Sequence, residues 1–234
     1  MRVPAGQCLL LTTLFLAPTL WSQEKMYSAA VKGNLTTSSR LFYNVDAGDE
    51  FARSQFVEVN NIFGFGVDIR RTIEDTRLQI GLSVEYLSGT ESGSRWVGST
   101  RVPIEDGFWT VPVELSGYFI IPFSSETFKL YIGGGAGVYV GKRTYSIGNE
   151  KADVVDSKNG AGIHIATGLE YSFAPWLSIR SEVKFRDLQF ESSYAFSKSS
   201  TTYQGVTVQL NRDPSRARIN VDGMLIDAGV VVRF

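Results

Sequence analysis

The sequence has few of the residues that most often carry chemistry in proteins. Its 234 residues include one cysteine, Cys8, and one histidine, His164. A disulfide needs two cysteines, and protein zinc sites combine several cysteine or histidine side chains. A single chain can therefore build neither, and catalysis is limited to schemes that use one imidazole. We find no metal constellation and expect no cofactor.

Proline, an excess of basic charge and long apolar runs are also scarce. There are 7 prolines, and 23 basic residues stand against 24 acidic ones, for a net charge of -1. This balance does not favour a nucleic-acid partner. No apolar run is long enough for a membrane-spanning helix. Glycine (23 residues) and aromatic residues (12%) are plentiful instead.

The first residues have the pattern of a signal peptide. Arg2 precedes an apolar run from Cys8 to Leu16, and small and polar residues follow near Ser22. That order is typical of a secretory signal. We expect cleavage after Ser22, which removes residues 1–22 together with Cys8 and leaves residues 23–234 as one domain.

Apolar and polar residues alternate in eight segments of residues 23–234. Alternation with a period of two indicates strands with one apolar face. The segments are 27–43, 56–70, 77–88, 108–121, 128–145, 160–173, a seventh from Leu177 to about Phe190, and 224–234. In the seventh, Leu188 and Phe190 fall on even positions after odd-numbered apolar residues, which predicts a bulge at Asp187.

The segment lengths and connections predict a membrane barrel. Strands of roughly 10–15 residues exceed the usual five or six of soluble sheets and suffice to cross a bilayer at a tilt. Connections alternate between long and short, as tight periplasmic turns and extended outer loops do. The fold class is therefore all-β, an eight-stranded antiparallel up-and-down transmembrane β-barrel. Its long outer loops would be 44–55, 89–107, 146–159 and 191–217.

Two stretches resemble a known family. The chain ends in an apolar track from Met224 to Phe234, and a strand with Pro112, Glu114 and Tyr118 is followed by a glycine-rich strand, 131–139. This resembles the small bacterial outer-membrane barrels, which include the barrel domain of outer-membrane protein A and the protein X and W types. The resemblance implies the outer membrane of a Gram-negative-type bacterium, with Phe234 as a signal read by the barrel-assembly machinery.

The apolar tracks are expected to face lipid and the polar tracks the lumen. No apolar track carries a charge at mid-strand, which lipid requires. Glycines on the polar track, such as Gly133 and Gly135, would make room inside a narrow barrel. Aromatic residues lie near the predicted strand ends, as in membrane-interface girdles; they are Trp109, Phe128, Tyr171, Phe173, Trp176 and Phe234. A secreted, soluble, lipocalin-like barrel would have the opposite orientation.

Inward polar tracks would fill the lumen with charge. Sixteen charged residues fall on these tracks: Lys32, Glu58, Asp68, Arg70, Arg77, Glu85, Glu114, Lys129, Arg143, Glu170, Arg180, Glu182, Lys184, Arg186, Asp227 and Arg233. Unpaired buried charges cost several kcal/mol, so these groups should pair. We expect an ion-pair network that plugs the lumen, centred on Glu85, Glu114, Arg180, Glu182, Lys184 and Arg186.

The main functional hypothesis is a structural or surface-interaction protein that binds ligands through its outer loops. The first alternative is a narrow, porin-like pore or transporter for small or hydrophobic solutes. Its mark would be an apolar stripe in the lumen, for which the inward candidates are Ile62, Leu87, Ile120, Leu225 and Val231. The second alternative is the soluble ligand-binding barrel.

Catalysis is not expected. Lipid A deacylases are barrels of similar size that use a histidine and a serine two residues apart. Here Ala166 stands two residues after His164, which removes the nucleophile that this resemblance would need.

Overall fold

The computed structural model describes residues 26–125 and 127–234, so the predicted signal peptide, 1–22, lies outside the described residues. The described chain forms one short helix, α1 (Glu50–Arg53), and fourteen strands. The strands are β1 (Tyr27–Phe42), β2 (Phe56–Thr72), β3 (Leu78–Val97), β4 (Thr100–Ile120), β5 (Phe128–Ile147), β6 (Glu150–Lys151), β7 (Asp153–Lys158), β8 (Gly160–Ala174), β9 (Leu177–Arg186), β10 (Leu188–Ala195), β11 (Ser200–Tyr203), β12 (Val206–Gln209), β13 (Ser215–Val221) and β14 (Met224–Arg233).

Eight of these strands close into a ring, which confirms the predicted barrel. Their order is β1-β2-β3-β4-β5-β8-β9-β14, and β14 returns to pair with β1 from Ser28↔Arg233 to Thr36↔Leu225. Every pairing in the ring is antiparallel. Closure leaves no open strand edge, which is the condition for a sheet to sit in lipid. Within 26–125 and 127–234, no helix is both long and apolar enough to cross a membrane.

The part of the ring next to the short turns, here called the lower barrel, carries apolar side chains on its outside. It comprises residues 27–36, 62–72, 78–88, 109–120, 128–140, 160–174, 177–186 and 224–233. Large apolar side chains there are widely exposed, for example Phe65 at 65% and Leu115 at 61%. Roughly nine to eleven residues of a tilted strand cross a bilayer, so this band matches a membrane in height. The outward orientation is the opposite of that in a soluble ligand-binding barrel.

Stacked aromatic side chains border this apolar band at both edges. Tyr27 and Phe234 stack at the lower edge, with ring centroids 6.2 Å apart. Tyr86 and Trp109 stack at the upper edge, at 6.4 Å. Amphipathic aromatic rings favour the membrane–water interface, so the two stacks mark the two interfaces.

The strands continue above the apolar band, and three predicted outer loops are wrong as loops. Residues 89–107 belong to a β3–β4 hairpin that turns at Gly98, where φ is +60°. Residues 146–159 contain β6 and β7, and residues 191–217 contain β11, β12 and parts of β10 and β13. Polar residues had suggested loops, but alternate positions are apolar and pack inward, as Val102 and Val208 do. The extension, residues 38–60, 89–108, 141–158 and 188–221, is here called the upper section.

Neighbouring strands kink at the junction between the lower barrel and the upper section. In β2, Asn61 has φ 52°. Between β9 and β10 the strand breaks at Asp187, and Asp222 and Gly223 separate β13 from β14. Of these three irregularities, only the one at Asn61 changes which positions of its strand point inward.

At Asn61 the inward track changes parity, which corrects part of the predicted pattern. Below the kink Ile62 points inward, whereas above it Val59 does, and both are fully buried. Val59 was predicted on the lipid-facing track and Glu58 on the lumen track. Glu58 is instead exposed, because the kink reverses the two faces.

The interior changes from polar to apolar at the same junction. A buried cluster fills the barrel at the junction and above it: Leu41, Val59, Ile62, Leu87, Phe108, Tyr139, Leu188, Phe190, Ala217, Ile219, Val221 and Leu225. The predicted parity change at Asp187 is therefore wrong. Arg186, Leu188 and Phe190 lie successively on the same buried track. Inward and outward positions alternate without interruption through Asp187. What changes there is the inward side chains, from charged to apolar.

Replacing Phe190 by alanine should show whether its side chain packs in the apolar core or, as the predicted bulge required, lies on the lipid-facing track. Phe190 packs edge-on against Phe108, with ring centroids 6.0 Å apart. Loss of a buried phenylalanine should lower the free energy of unfolding by about 3–5 kcal/mol. The exposed neighbour Gln189 is the matched control, and Gln189→Ala should stay within about 0.5 kcal/mol of wild type. Denaturant titration of the refolded protein measures both, and equal effects would contradict the apolar upper core.

Candidate functional site: a polar lumen and a cleft above it

All six residues predicted to centre the lumen network lie inside the lower barrel. Arg180, Glu182, Lys184 and Arg186 occupy alternate positions of β9. Glu85 reaches inward from β3 and Glu114 from β4. None of the six is more than 5% exposed. Alternation along a strand thus places four consecutive inward side chains in one column.

Five of the six form one upper group. Lys184 Nζ lies 2.8 Å from a Glu114 carboxylate oxygen and 3.2 Å from Glu85. Arg186 Nη2 donates to Glu85 at 2.7 Å. Lys184 Nζ is also 3.7 Å from Glu182. Lys32 adds a further cation, at 2.9 Å from both Glu85 and Asp227.

Arg180 belongs to a separate lower group. Its guanidinium contacts Asp68 at 2.9 Å and Glu170 at 2.7 Å. Arg70 bonds to Asp68 at 2.9 Å and to Glu182 at 2.8 Å, so it links the two groups. Arg233, partly exposed at the lower end, pairs with Glu170.

Two tyrosines complete the network, and sequence reasoning did not identify them. The Arg70 guanidinium carbon lies 3.8 Å from the Tyr118 ring centroid and 5.0 Å from that of Tyr131. The Tyr131 hydroxyl donates to Glu182 at 3.0 Å. Glycines provide the space, since a Cβ on Gly168 would lie 2.2 Å from the Tyr131 hydroxyl and one on Gly133 2.4 Å from the Tyr118 ring. The sequence did contain a signal for these contacts. Large tyrosine rings on the inward track of one strand stand opposite glycines on the inward track of the next.

Charge is balanced within the network. Among the described residues it contains six carboxylates and six cations: Asp68, Glu85, Glu114, Glu170, Glu182 and Asp227 with Lys32, Arg70, Arg180, Lys184, Arg186 and Arg233. Pairing of this kind offsets the cost of desolvating each ion. Two of the sixteen predicted inward charges, Glu58 and Arg77, are exposed instead. Arg77 lies in the β2–β3 turn, just below the first residue of β3.

His164 has a serine partner that its own strand does not supply. The Ser116 hydroxyl lies 2.9 Å from His164 Nε2, and Glu114 lies 4.0 Å from His164 Nδ1. Both Ser116 and His164 pair with Gly135 on the strand between them, and that glycine lets their side chains meet. Sequence reasoning missed this contact because it searched along one strand only.

The geometry around His164 is poor for nucleophilic catalysis. A separation of 4.0 Å between His164 and Glu114 is too long for a hydrogen bond that would orient the imidazole. Ser116 and His164 are each 3% exposed, so a substrate has no approach to the hydroxyl. No group of three or more potential metal ligands occurs among residues 26–125 and 127–234.

A cleft of about 340 Å³ lies above the apolar core, in the upper section. At its base Arg143 Nε donates to Asp106 at 2.7 Å. The guanidinium lies 4.3 Å from the Tyr194 ring centroid and 4.7 Å from that of Tyr145. Burial by itself lowers the pKa of the Arg143 guanidinium. Asp106 and Tyr194 raise that pKa by more than burial lowers it, so the net pKa is raised and the side chain stays charged.

No protein-family model matches the sequence, and no curated protein matches it. Solved structures do resemble the fold. Neisserial surface protein A is 11% identical with a TM-score of 0.46, and 89% of this chain aligns with 97% of that one. The attachment invasion locus protein of Yersinia pestis is 15% identical with a TM-score of 0.44 over 90% and 99% of the two chains. The outer membrane protease of Escherichia coli is 9% identical with a TM-score of 0.46 over 91% and 98%.

Replacing Glu85 by glutamine should strongly destabilise the barrel. Glu85 contacts Lys32, Lys184 and Arg186, and its loss leaves these buried cations short of one negative charge. Breaking a buried pair costs about 3–5 kcal/mol in the free energy of unfolding. Glu58→Gln is the matched control, because Glu58 is exposed and should tolerate the change. Urea unfolding in micelles measures both, and a wild-type midpoint for Glu85→Gln would show that the network does not stabilise the fold.

Proposed function

We propose that this chain is an integral outer-membrane barrel with a closed lumen, and that it serves as a structural and surface-interaction protein of a Gram-negative-type cell envelope. The packing of side chains across the lumen is the observation that carries the proposal. Polar side chains cross the lower barrel in mutual contact, and the apolar core lies directly above them. This packing supports a lumen that leaves no continuous path for water or ions.

The apolar outer band supports the membrane location. Exposed side chains such as Phe65 and Leu115 would be costly to leave in water over so large an area. In lipid the same surface is favourable, and the closed ring satisfies the backbone groups. Outer-membrane lipid is accordingly the first partner that we assign.

The upper section supports a role at the surface. It is built of paired strands and has a second apolar core of its own: Val102, Ile147, Ala152, Phe196, Val208 and Leu210. A folded platform holds exposed side chains in fixed positions, which favours specific binding over non-specific contact. We therefore propose that ligands bind on this platform, where extended outer loops had been predicted.

A pore receives less support. Four of the five apolar candidates for a lumen stripe are fully buried, and three of them, Ile62, Leu87 and Leu225, belong to the packed upper core. Packed side chains close a lumen, whereas a conducting stripe would line an open one. We also propose that the protein is not an enzyme, since Ser116 and His164 are enclosed.

Conductance in planar bilayers tests the closed lumen. Wild-type protein should show no steady channels. Glu114→Ala and Arg180→Ala should leak or lose stability, because each removes a partner from a buried group. Glu58→Ala and Arg77→Ala, which alter exposed residues, should remain silent and stable.

Steady wild-type channels of uniform size would overturn the closed lumen and favour the pore. Failure of the refolded wild type to enter bilayers at all would instead contradict the membrane location. The two outcomes differ in observable ways, since insertion can be followed by flotation with vesicles.

A further inference from the structure

The tyrosine-lined cleft in the upper section has the form of a ligand site. Tyr43, Tyr145 and Tyr194 line it, and each is partly exposed. A volume of about 340 Å³ lies near the lower end of the usual range for small-molecule sites, roughly 300–1,000 Å³. The cleft therefore has room for a small ring-shaped ligand and not for a folded partner.

The tyrosines are already held in place. Tyr145 and Tyr194 pack edge to face, with ring centroids 5.3 Å apart, and Arg143 stacks on both rings. The Tyr43 hydroxyl donates to Gln55 at 3.1 Å. Binding would therefore require little ordering of these side chains, which favours affinity.

Polar groups around the rings can bind hydroxyl groups. Arg143 Nη1 is buried and has no hydrogen-bond partner among the described residues. A small shift of the Tyr145 or Tyr194 ring against it would let it donate to a ligand oxygen in the cleft. Glu91 lies on the rim with its side chain exposed and can accept hydrogen bonds. A ligand with several hydroxyls satisfies both groups.

The charge of the lining selects against an anion. Asp106 binds Arg143 through both carboxylate oxygens and neutralises it. Glu91 then leaves the lining with one net negative charge. An acidic ligand would be repelled, whereas a neutral one would not.

We infer that the cleft binds one neutral saccharide unit, a pyranose ring with its C–H face on a tyrosine and its hydroxyls on Glu91 and Arg143. A tyrosine ring carries negative charge density on its face, which attracts the C–H groups of a sugar. This inference rests on the proposed surface role, because the cleft must face the outside. It names the ligand class for that role.

Saturation-transfer NMR on the refolded full chain in micelles tests the inference. The probes are methyl β-D-galactopyranoside and methyl α-D-mannopyranoside, with sodium D-glucuronate as the acidic comparator. At least one neutral glycoside should receive saturation at its ring C–H protons, and glucuronate should receive less. Tyr194→Ala should weaken binding about tenfold, equivalent to about 1.4 kcal/mol.

Two further variants keep the test independent of folding. Glu91→Gln alters an exposed side chain and should weaken binding without unfolding the protein. Trp96→Ala is the control for non-specific stacking, since Trp96 is 67% exposed near the β3–β4 turn and does not line the cleft. It should bind as wild type does.

Three results would overturn the inference: no transfer to either neutral glycoside at millimolar concentration, equal weakening by Trp96→Ala and Glu91→Gln, or transfer to glucuronate alone. Each is independent of conductance. A silent barrel that binds no sugar would refute this inference and leave the closed lumen standing, whereas a conducting barrel that binds sugar would do the reverse.

Discussion

The outer face of each strand meets lipid in the lower barrel and water above it, whereas the inner face meets a narrow interior filled by side chains. The rest of the structure depends on that constraint. Along the lower barrel lipid covers the outside, so polar side chains must turn inward. An eight-stranded barrel is only wide enough for side chains to fill it, so there is little room for water around these charges. They must satisfy one another, and Glu85 with three cations shows how densely they do so. Above the membrane edge water replaces lipid, and the interior becomes apolar as in a soluble protein.

The change from a polar interior in the lower barrel to an apolar interior in the upper section explains how the two parts can have different roles. In the lower barrel, the ion pairs fix which side chains meet, and we propose that they close the lumen. In the upper section, apolar packing inside stabilises strands whose outer face is in contact with water. These strands can therefore hold exposed side chains in fixed positions. The kink at Asn61 and the strand break at Asp187 lie where the polar interior gives way to the apolar one. An upper section of paired strands over the proposed closed lumen would suit recognition at the surface better than transport.

Sequence patterns were sufficient for the ring and insufficient for the upper section. The eight alternating segments and the inward positions of Glu114 and Lys184 follow from a period of two and the need to keep charge out of lipid. The same rule failed above the membrane, since it assigned apolar residues to lipid. It misplaced Val59 for that reason and required a bulge before Leu188, although both side chains point inward.

Contacts between strands were also beyond a reading of single strands. Register brings Ser116 and His164 together across Gly135, and it places Arg70 against Tyr118. No spacing along the chain encodes these pairs directly. The cleft around Arg143 is a further case, because its tyrosines come from the regions near β1, β5 and β10, which are far apart in sequence.

The change of the outer surface from lipid-facing to water-facing is tested most directly by spin-label accessibility along β4 in bilayers. A nitroxide would be placed at each position from Arg101 to Phe119 in turn, and collisions with oxygen and with a water-soluble nickel chelate would be measured. Outward positions from Trp109 to Phe119 should collide with oxygen, and outward positions from Arg101 to Gly107 with the chelate. Inward positions such as Thr110 and Ser116 should be protected from both. Oxygen contact that continues unchanged to Arg101, or chelate contact at Thr110 and Ser116, would contradict a barrel with a closed lumen whose outer surface changes from lipid-facing to water-facing at the membrane edge.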